Sequence, residues 1–161
     1  MDKFFLESFM RESNRIEGEL DEENGGKLWP GDVEAVEAFL EHPFSLKSLL
    51  MLHKALCKGR PYMKSDKKLW GKWRDCEVWV GGHKGADPIF IPHKMEELEE
   101  TYSVINAWEL HNEFETIHPF VDLNGRTGRL LYLKKALEEN AYHPHLSFLH
   151  NYYYATLNNY R

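Results

Sequence analysis

The most informative stretch of the sequence is HPFVDLNGRTGR, residues 118–129. It places a histidine, a carboxylate, an amide and two guanidiniums in a polar loop between two predicted helices. Pro119 disfavours helical backbone angles at the residue before it, so we expect His118 to lie just outside the first helix. The second helix is predicted to begin near Asn124 or Gly125, and its unpaired N–H groups and dipole favour a negative charge. The loop therefore has the properties of an anion site.

Two arginines in the first turn of the second helix indicate which anion this is. Arg126 and Arg129 are three residues apart and share one face, although cations are unfavourable at a helix N-terminus. A bound phosphate would explain both, because forked guanidiniums and backbone donors suit it. Asp122 can hold Mg²⁺ against the same phosphates, and His118 can accept a proton from a hydroxyl, because an unperturbed imidazole has a pKa close to neutral.

These groups predict phosphoryl or nucleotidyl transfer. The alternative from the residues alone is a structural loop, held together by contacts between arginine and aspartate and between histidine and the backbone. The sequence contains neither a Walker A motif nor the metal-binding HExxH motif, which excludes two other common kinds of catalytic site.

The residues around the loop predict an all-α chain with one β-hairpin. Apolar residues recur at three- and four-residue spacings typical of helices. The predicted helices cover residues 2–20, 32–41 with Asp32 as N-cap, 93–116, 126–139 and 146–159, and a further helix begins after the N-cap Ser45 and ends by Gly59. A loop is expected at residues 24–26. Residues 76–92 contain two β-rich runs around a glycine-rich turn, which predicts the hairpin.

Composition and charge exclude several classes of protein. The 161 residues, 42% apolar and 29% charged, are typical of one packed domain. The net charge of −6 argues against nucleic-acid or anionic-membrane partners. Residues 1–41 carry 12 acidic and 4 basic side chains, and residues 42–161 carry 14 and 16. Without a secretory signal, a membrane span or paired cysteine motifs, we expect a cytoplasmic protein.

The loop also resembles the signature of the Fic (Fido) family, HPFx(D/E)GNGRxxR. The matching positions are His118, Pro119, Phe120, Asp122, Asn124, Gly125, Arg126 and Arg129. Five further segments resemble those of the family: LHKALCKG at 52–59, GKWR at 71–74, VWVGG at 78–82, ELHNEFETIHPF at 109–120 and YYATL at 153–157. The resemblance covers most of the chain and implies a single Fic domain over residues 1–161.

The resemblance implies a helical Fic fold with a hairpin flap at residues 76–92. It implies a protein that binds ATP with Mg²⁺ and transfers AMP to a Ser, Thr or Tyr hydroxyl of a target protein. An extended segment of the target would pair with the flap. The implied roles are general base for His118, metal ligand for Asp122, cradle of the α- and β-phosphates for Asn124, Gly125 and Arg126, and γ-phosphate ligand for Arg129. Further nucleotide contacts are expected from Val80, Gly81, Leu123, Tyr153, Tyr154 and Asn158.

Leu123 departs from the family signature, which has Gly at this position. A leucine resists a positive φ and adds bulk near the phosphate site. This leaves open a Fic fold that binds nucleotide or protein with little or no catalysis. It also leaves open transfer of another phosphate-containing group, although kinase relatives carry Lys where this chain has Gly125.

The N-terminal segment 13–18, SNRIEG, resembles the inhibitory motif (S/T)xxxE(G/N) of the same family. Its specified residues are Ser13, Glu17 and Gly18. The resemblance implies an inhibitory helix at residues 1–20, in which Glu17 pairs with Arg129 and takes the place of the γ-phosphate. Such glutamates can also position water, which implies that the protein could remove AMP from a modified target.

Overall fold

The computed structural model describes residues 3–21 and 25–141. The predicted last helix at 146–159 lies outside these residues, and with it the expected nucleotide contacts Tyr153, Tyr154 and Asn158. Within the described part the chain is mostly helical, with two small antiparallel strand pairs. The prediction of an all-α chain with a hairpin is therefore confirmed, and a second, unpredicted strand pair accompanies it.

The N-terminal helix α1 spans Lys3–Ile16 and ends earlier than predicted. Gly18 has a φ of 74°, a left-handed conformation that turns the chain out of the helix. Strand β1, Leu20–Asp21, then pairs antiparallel with β2, Gly25–Gly26. The prediction of a loop at 24–26 was wrong for its two glycines. Gly26 packs so closely on the carbonyl of Arg11 that a Cβ would overlap with it.

Helices α2, Asp32–Glu41, and α3, Leu46–Gly59, pack against each other. The N-cap of α2 is Gly31, so the prediction of Asp32 as the cap was wrong, because the carboxylate of Asp32 is buried against Arg60. Ser45 caps α3 as predicted and forms a reciprocal capping box with Ser48. A 3₁₀ segment, Pro61–Leu69, follows α3 and is kinked at Asp66.

The predicted hairpin is present but shorter than expected. Strand β3, Trp79–Val80, pairs with β4, His83–Lys84, across a turn formed by Gly81 and Gly82, which both have positive φ. The second of the two β-rich runs predicted within residues 76–92, at residues 89–91, is not a strand: these residues belong to the 3₁₀ helix Pro88–Phe90 and to the start of α4, Ile91–Thr101. Pro88 and Pro92 each occupy the start of a helix, where a missing N–H costs nothing.

The long helix predicted at 93–116 is two helices. After α4 the chain turns, and α5, Ala107–Ile117, begins at a new cap. The side chain of Asn106 accepts hydrogen bonds from the N–H groups of Trp108 and Glu109, at 3.0 and 2.9 Å. Helix α6, Asn124–Glu138, begins where the sequence predicts it.

The core forms around α5 and α6, which lie side by side, with α1 and α3 also contacting α6. Gly128 allows this close approach, because a Cβ there would overlap with the side chain of Glu115. The buried apolar residues of α6 are Leu130, Leu131, Leu133 and Ala136. Each buried leucine contributes about 2 kcal/mol by leaving water, so the core fixes the start of α6 against the loop before it. Among residues 3–21 and 25–141, no helix is both long and apolar enough to cross a membrane.

Candidate active site

The polar loop between α5 and α6 begins and ends with left-handed backbone. His118 has φ 51° and ψ 62°, and Leu123 has φ 63° and ψ 16°. The amide of Asn124 braces the loop: its Oδ1 accepts from the N–H of Phe120 and its Nδ2 donates to the carbonyl of Phe120, both at 2.8 Å. Because its side chain is engaged in this way, the group that Asn124 could offer to an anion is its backbone N–H, which as part of the first turn of α6 has no intrahelical partner.

His118 lies beside a cavity under the hairpin. Its Nδ1 is 3.7 Å from a carboxylate oxygen of Glu115, on the preceding turn. The cavity has a volume of about 230 Å³ and is lined by Val80, His83, Lys84, Gly85, Glu115, Thr116 and His118. The structure thus brings Val80 to the same cavity as His118. Gly81 lies in the exposed turn of the hairpin and is not among the residues lining this cavity.

Arg74 connects the hairpin to the backbone of His118. Its guanidinium, 2% exposed as a residue, donates to the carbonyls of Cys76 and Ala86 at 2.6 Å and of His118 at 2.7 Å. It also donates to the carbonyl of Ile117 at 3.2 Å. Burial is the main cause that lowers the pKa of this guanidinium. Sequence reasoning gave Arg74 no role; its only signal was the GKWR segment.

His53 supports the loop from below, as a core histidine. Its ring stacks on Phe120 with 3.7 Å between centroids, its Nε2 donates to the carbonyl of Asp122, and its Nδ1 accepts from the N–H of Gly71. Burial lowers the pKa of His53 to about 4, despite the opposing effect of the Asp122 carbonyl. The imidazole is therefore neutral near pH 7 and belongs to the scaffold of the site.

Asp122 is suited to hold a magnesium ion only together with a ligand's phosphates. Its side chain is 44% exposed, and a carboxylate oxygen lies 3.5 Å from a nitrogen of Arg126. In the part of the chain that the structure describes, no three His, Cys, Asp or Glu side chains come together as a metal site. One exposed carboxylate fits Mg²⁺, which commonly binds one or two carboxylates together with substrate phosphates and water.

Leu123 points away from the anion site. Its side chain is 2% exposed and belongs to the hydrophobic core, while its backbone forms the entry to α6. The bulk that the sequence suggested near the phosphates is thus directed into the core. The left-handed backbone that the family signature assigns to glycine is adopted here by a leucine.

Both arginines at the start of α6 are paired with carboxylates from the N-terminal segment. Arg129 donates to Glu17 at 2.7 Å, to the hydroxyl of Ser13 at 2.8 Å and to the carbonyl of Ser13 at 3.0 Å. Arg126 pairs with Glu19 at 2.7 Å. The structure therefore brings the two motif residues Ser13 and Glu17 to Arg129, and adds Glu19, which sequence reasoning missed.

Gly125 lies directly beneath the carboxylate of Glu17. A Cβ at this position would lie 2.5 Å from Glu17 Oε1 and 3.0 Å from a nitrogen of Arg129. The carboxylate thus covers the N-terminus of α6, where an anion is stabilised by the free N–H groups and the helix dipole. Gly18, the third motif residue, ends the turn that brings Glu17 there.

A buried polar network anchors the N-terminal segment to the rest of the chain. Arg60 is fully buried and donates to Asp32 at 2.8 Å and to the side chain of Asn14 at 2.9 Å. Asn14 in turn donates to Asp32 at 3.1 Å and to the carbonyl of Lys27 at 2.7 Å. Because each of these buried polar groups depends on the others, the network fixes the end of α1.

Comparison with known proteins gives the family. The model of the Fic/DOC family matches residues 43–134, more than half of the chain. Proteins named protein adenylyltransferase Fic from Drosophila grimshawi and Drosophila virilis are each 33% identical over 96 residues, covering 54% of this chain and 19% of theirs. The chain thus spans about a fifth of the length of these curated relatives.

Solved structures of Fic proteins share the fold over nearly the whole chain. A Fic family protein from Desulfovibrio desulfuricans has a TM-score of 0.71 at 24% identity, covering 97% of this chain and 57% of that one. Fic-1 from C. elegans has a TM-score of 0.69 at 21% identity, covering 98% and 55%. A Fic domain containing signaling protein from Bacteroides thetaiotaomicron has a TM-score of 0.66 at 22% identity, covering 98% of this chain and 71% of that one. With the signature loop, the family match and the shared fold, the chain belongs to the Fic/DOC family.

Proposed function

We propose that this protein is a protein adenylyltransferase, which transfers AMP from ATP to a Ser, Thr or Tyr hydroxyl of a target protein. The observation that carries the proposal is the loop itself. His118 lines a cavity at one end of the loop, and the first turn of α6, with its two arginines, lies at the other end. The relatives named protein adenylyltransferase support this reaction among those known for the family.

In this reaction His118 accepts the proton of the target hydroxyl. The hydroxyl oxygen forms a bond to the α-phosphorus, and the bond from that phosphorus to the bridging oxygen breaks, so that pyrophosphate leaves. Arg126 and Arg129 stabilise the charge of the leaving group. Mg²⁺ held by Asp122 and the phosphates would neutralise further charge when it is bound. ATP and Mg²⁺ are therefore the proposed co-substrate and cofactor.

We further propose that Glu17 inhibits the enzyme. The guanidinium of Arg129 can bind either the carboxylate of Glu17 or a γ-phosphate. The ion pair of 2.7 Å between Arg129 and Glu17 supports binding of the carboxylate in the absence of nucleotide. The side chain of Glu17 is 29% exposed, so rotation into solvent can free Arg129. The family resemblance, in which such glutamates can position water, is the basis for proposing AMP removal as a second activity.

The proposed partner is a target protein that docks on the flap as an extended segment. The two strands of the flap are short, and Trp79 exposes 68% of its surface beside them. A target strand would satisfy the free backbone groups at the strand edge and cover this ring. We propose that the reaction takes place in the cytoplasm, in keeping with two free cysteines.

The test uses ATP labelled at the α-phosphate and three variants of the chain. Glu17→Gly is expected to raise incorporation of AMP into the protein itself or into a target, and Glu17→Gly with His118→Ala is expected to abolish it. Glu7→Gln is the control for loss of charge, because Glu7 carries the same charge on α1 and lies ten residues before Glu17. Mass spectrometry then distinguishes added AMP from added phosphate or another group.

Two results would contradict parts of this proposal. If Glu17→Gly changes neither nucleotide binding nor labelling, Glu17 is not inhibitory. If ATP shows no affinity even for Glu17→Gly, the chain is a Fic fold without nucleotide chemistry, the alternative raised by Leu123. The direction of the Leu123 side chain into the core weighs against that alternative.

A further inference from the structure

Arg126 is occupied by a carboxylate of its own, separate from the pair between Glu17 and Arg129. Glu19 Oε1 lies 2.7 Å from Arg126, and the side chain of Glu19 is only 14% exposed. The hydroxyl of Tyr62 contacts the same two partners: it donates to Glu19 and accepts from Arg126 at 3.2 Å. A carboxylate therefore lies where the first phosphate-binding arginine would meet its ligand.

Glu19 is held rigidly in this position. Its N–H donates to the carbonyl of Asn14 at 3.0 Å, and its carbonyl accepts from Lys27 at 2.8 Å. The indole of Trp29 donates to its second carboxylate oxygen at 2.9 Å. The backbone on both sides and the side chain are thus fixed before any ligand arrives.

The environment of Glu19 keeps it ionised. Burial tends to raise the pKa of this carboxyl, but the hydrogen bond from Tyr62 and the guanidiniums of Arg126 and Arg60 outweigh burial and lower it. Arg60 contributes at 3.6 Å. Near neutral pH a negative charge is therefore always present beside Arg126.

We propose that Glu19 is a specificity-determining residue that competes with the β-phosphate for Arg126 and so disfavours nucleoside di- and triphosphates. This inference rests on the proposed function, in which Arg126 binds the β-phosphate and Arg129 the γ-phosphate. Two carboxylates of one segment, Glu17 and Glu19, then compete with two successive phosphates for their arginines. Removing the charge of Glu17 frees the γ-phosphate position but leaves the β-phosphate position contested.

The division of roles predicts a pattern across AMP, ADP and ATP. AMP lacks both the β- and the γ-phosphate, so its affinity should respond less to either carboxylate than the affinity of ADP or ATP does. ADP needs Arg126 alone, so Glu19→Gln should raise its affinity about tenfold, the size expected for one charge-assisted contact, while Glu17→Gln should not. ATP needs both arginines, so each substitution should raise its affinity, and the double variant more than either.

The experiment is calorimetric titration of the full chain with each nucleotide and Mg²⁺, for the wild type, Glu17→Gln, Glu19→Gln, the double variant and the control Glu7→Gln. Thermal unfolding checks that each variant is folded. Tyr62→Phe provides a second test, because it removes the hydroxyl that orients Glu19 on Arg126; a smaller rise in ADP affinity is expected.

The possible outcomes separate this inference from the proposed function. If Glu17→Gln raises ATP affinity while folded Glu19→Gln and Tyr62→Phe leave ADP affinity unchanged, the role of Glu19 is refuted and the proposed function stands. A rise in AMP affinity equal to that in ADP affinity would also refute it, because the effect would not depend on the β-phosphate. If no nucleotide binds to any variant, both proposals fail.

Discussion

Replacing Leu123 tests how this chain accommodates a leucine at a left-handed position. A non-glycine residue in this conformation costs about 1–2 kcal/mol, and Leu123 has φ 63°. Its side chain is buried in the core, and truncating such a leucine to alanine costs about 2–5 kcal/mol. Core burial therefore outweighs backbone strain, which explains why the chain keeps a leucine there.

Core burial and backbone strain together predict the order of stability of variants at Leu123. Leu123→Ala loses the side chain and keeps the strain, so it should destabilise the fold by about 2–5 kcal/mol. Leu123→Gly loses the same burial, and the greater entropy that glycine loses on folding costs about 0.5–1 kcal/mol more. It also relieves about 1–2 kcal/mol of backbone strain. The glycine variant should therefore be more stable than the alanine variant by up to about 1.5 kcal/mol, and less stable than the wild type.

Leu133 gives the matched control, because it is a buried leucine in the middle of α6. In a regular helix glycine costs about 1 kcal/mol more than alanine, so Leu133→Gly should be less stable than Leu133→Ala. Urea unfolding at pH 7 measures all four variants. The glycine variant should be the more stable of the pair at Leu123, and the alanine variant should be the more stable at Leu133. The same order at both, or a Leu123→Gly variant more stable than the wild type, would refute this account of the loop.

Two further predictions concern groups that support the site. Arg74→Lys keeps the charge but loses the forked guanidinium that reaches the carbonyls of His118 and the hairpin. In the Glu17→Gly background this substitution should lower kcat for AMP transfer about ten- to a hundredfold and leave KM for ATP unchanged. A fall in stability without a fall in kcat would contradict a positioning role for Arg74. Because the pKa of His53 falls to about 4 on folding, the unfolded chain binds the extra proton between about pH 6.5 and 4. The free energy of unfolding should therefore decrease by up to about 3 kcal/mol as pH falls through this range, and decrease less in His53→Gln, measured by urea unfolding at each pH.

The sequence predicted those features that depend on neighbouring residues. Pro119 placed His118 outside its helix, and the Ser45 cap and the start of α6 followed from local hydrogen-bonding rules. The break between α4 and α5 was missed, because both helices present apolar residues to the same core and their spacing continues through the turn. The signal was present in Asn106, which caps α5 with a glutamate three residues later.

Features that depend on distant partners could not be predicted in this way. Arg74 and Arg60 look like ordinary surface residues in the sequence, yet both are buried. Their partners are carbonyls and side chains far along the chain, such as His118 for Arg74 and Asn14 for Arg60. Glu19 was one acid among many in the N-terminal segment. Only the folded chain distinguishes it from the others, by placing it on Arg126.

The packing of α1 restricts how nucleotide could gain access to the two arginines. Leu6 and Met10 of α1 are buried in the core, and exposing both would cost about 4 kcal/mol before the network around Arg60 is broken. Rotating Glu17 away from Arg129 breaks one ion pair. Rotating Glu19 away from Arg126 also breaks its contacts with Tyr62, Trp29 and Arg60, but it leaves α1 in place. Displacement of the two side chains is therefore the lower-energy route, and the inhibition proposed above would then be a competition between carboxylate and phosphate at a fixed helix terminus.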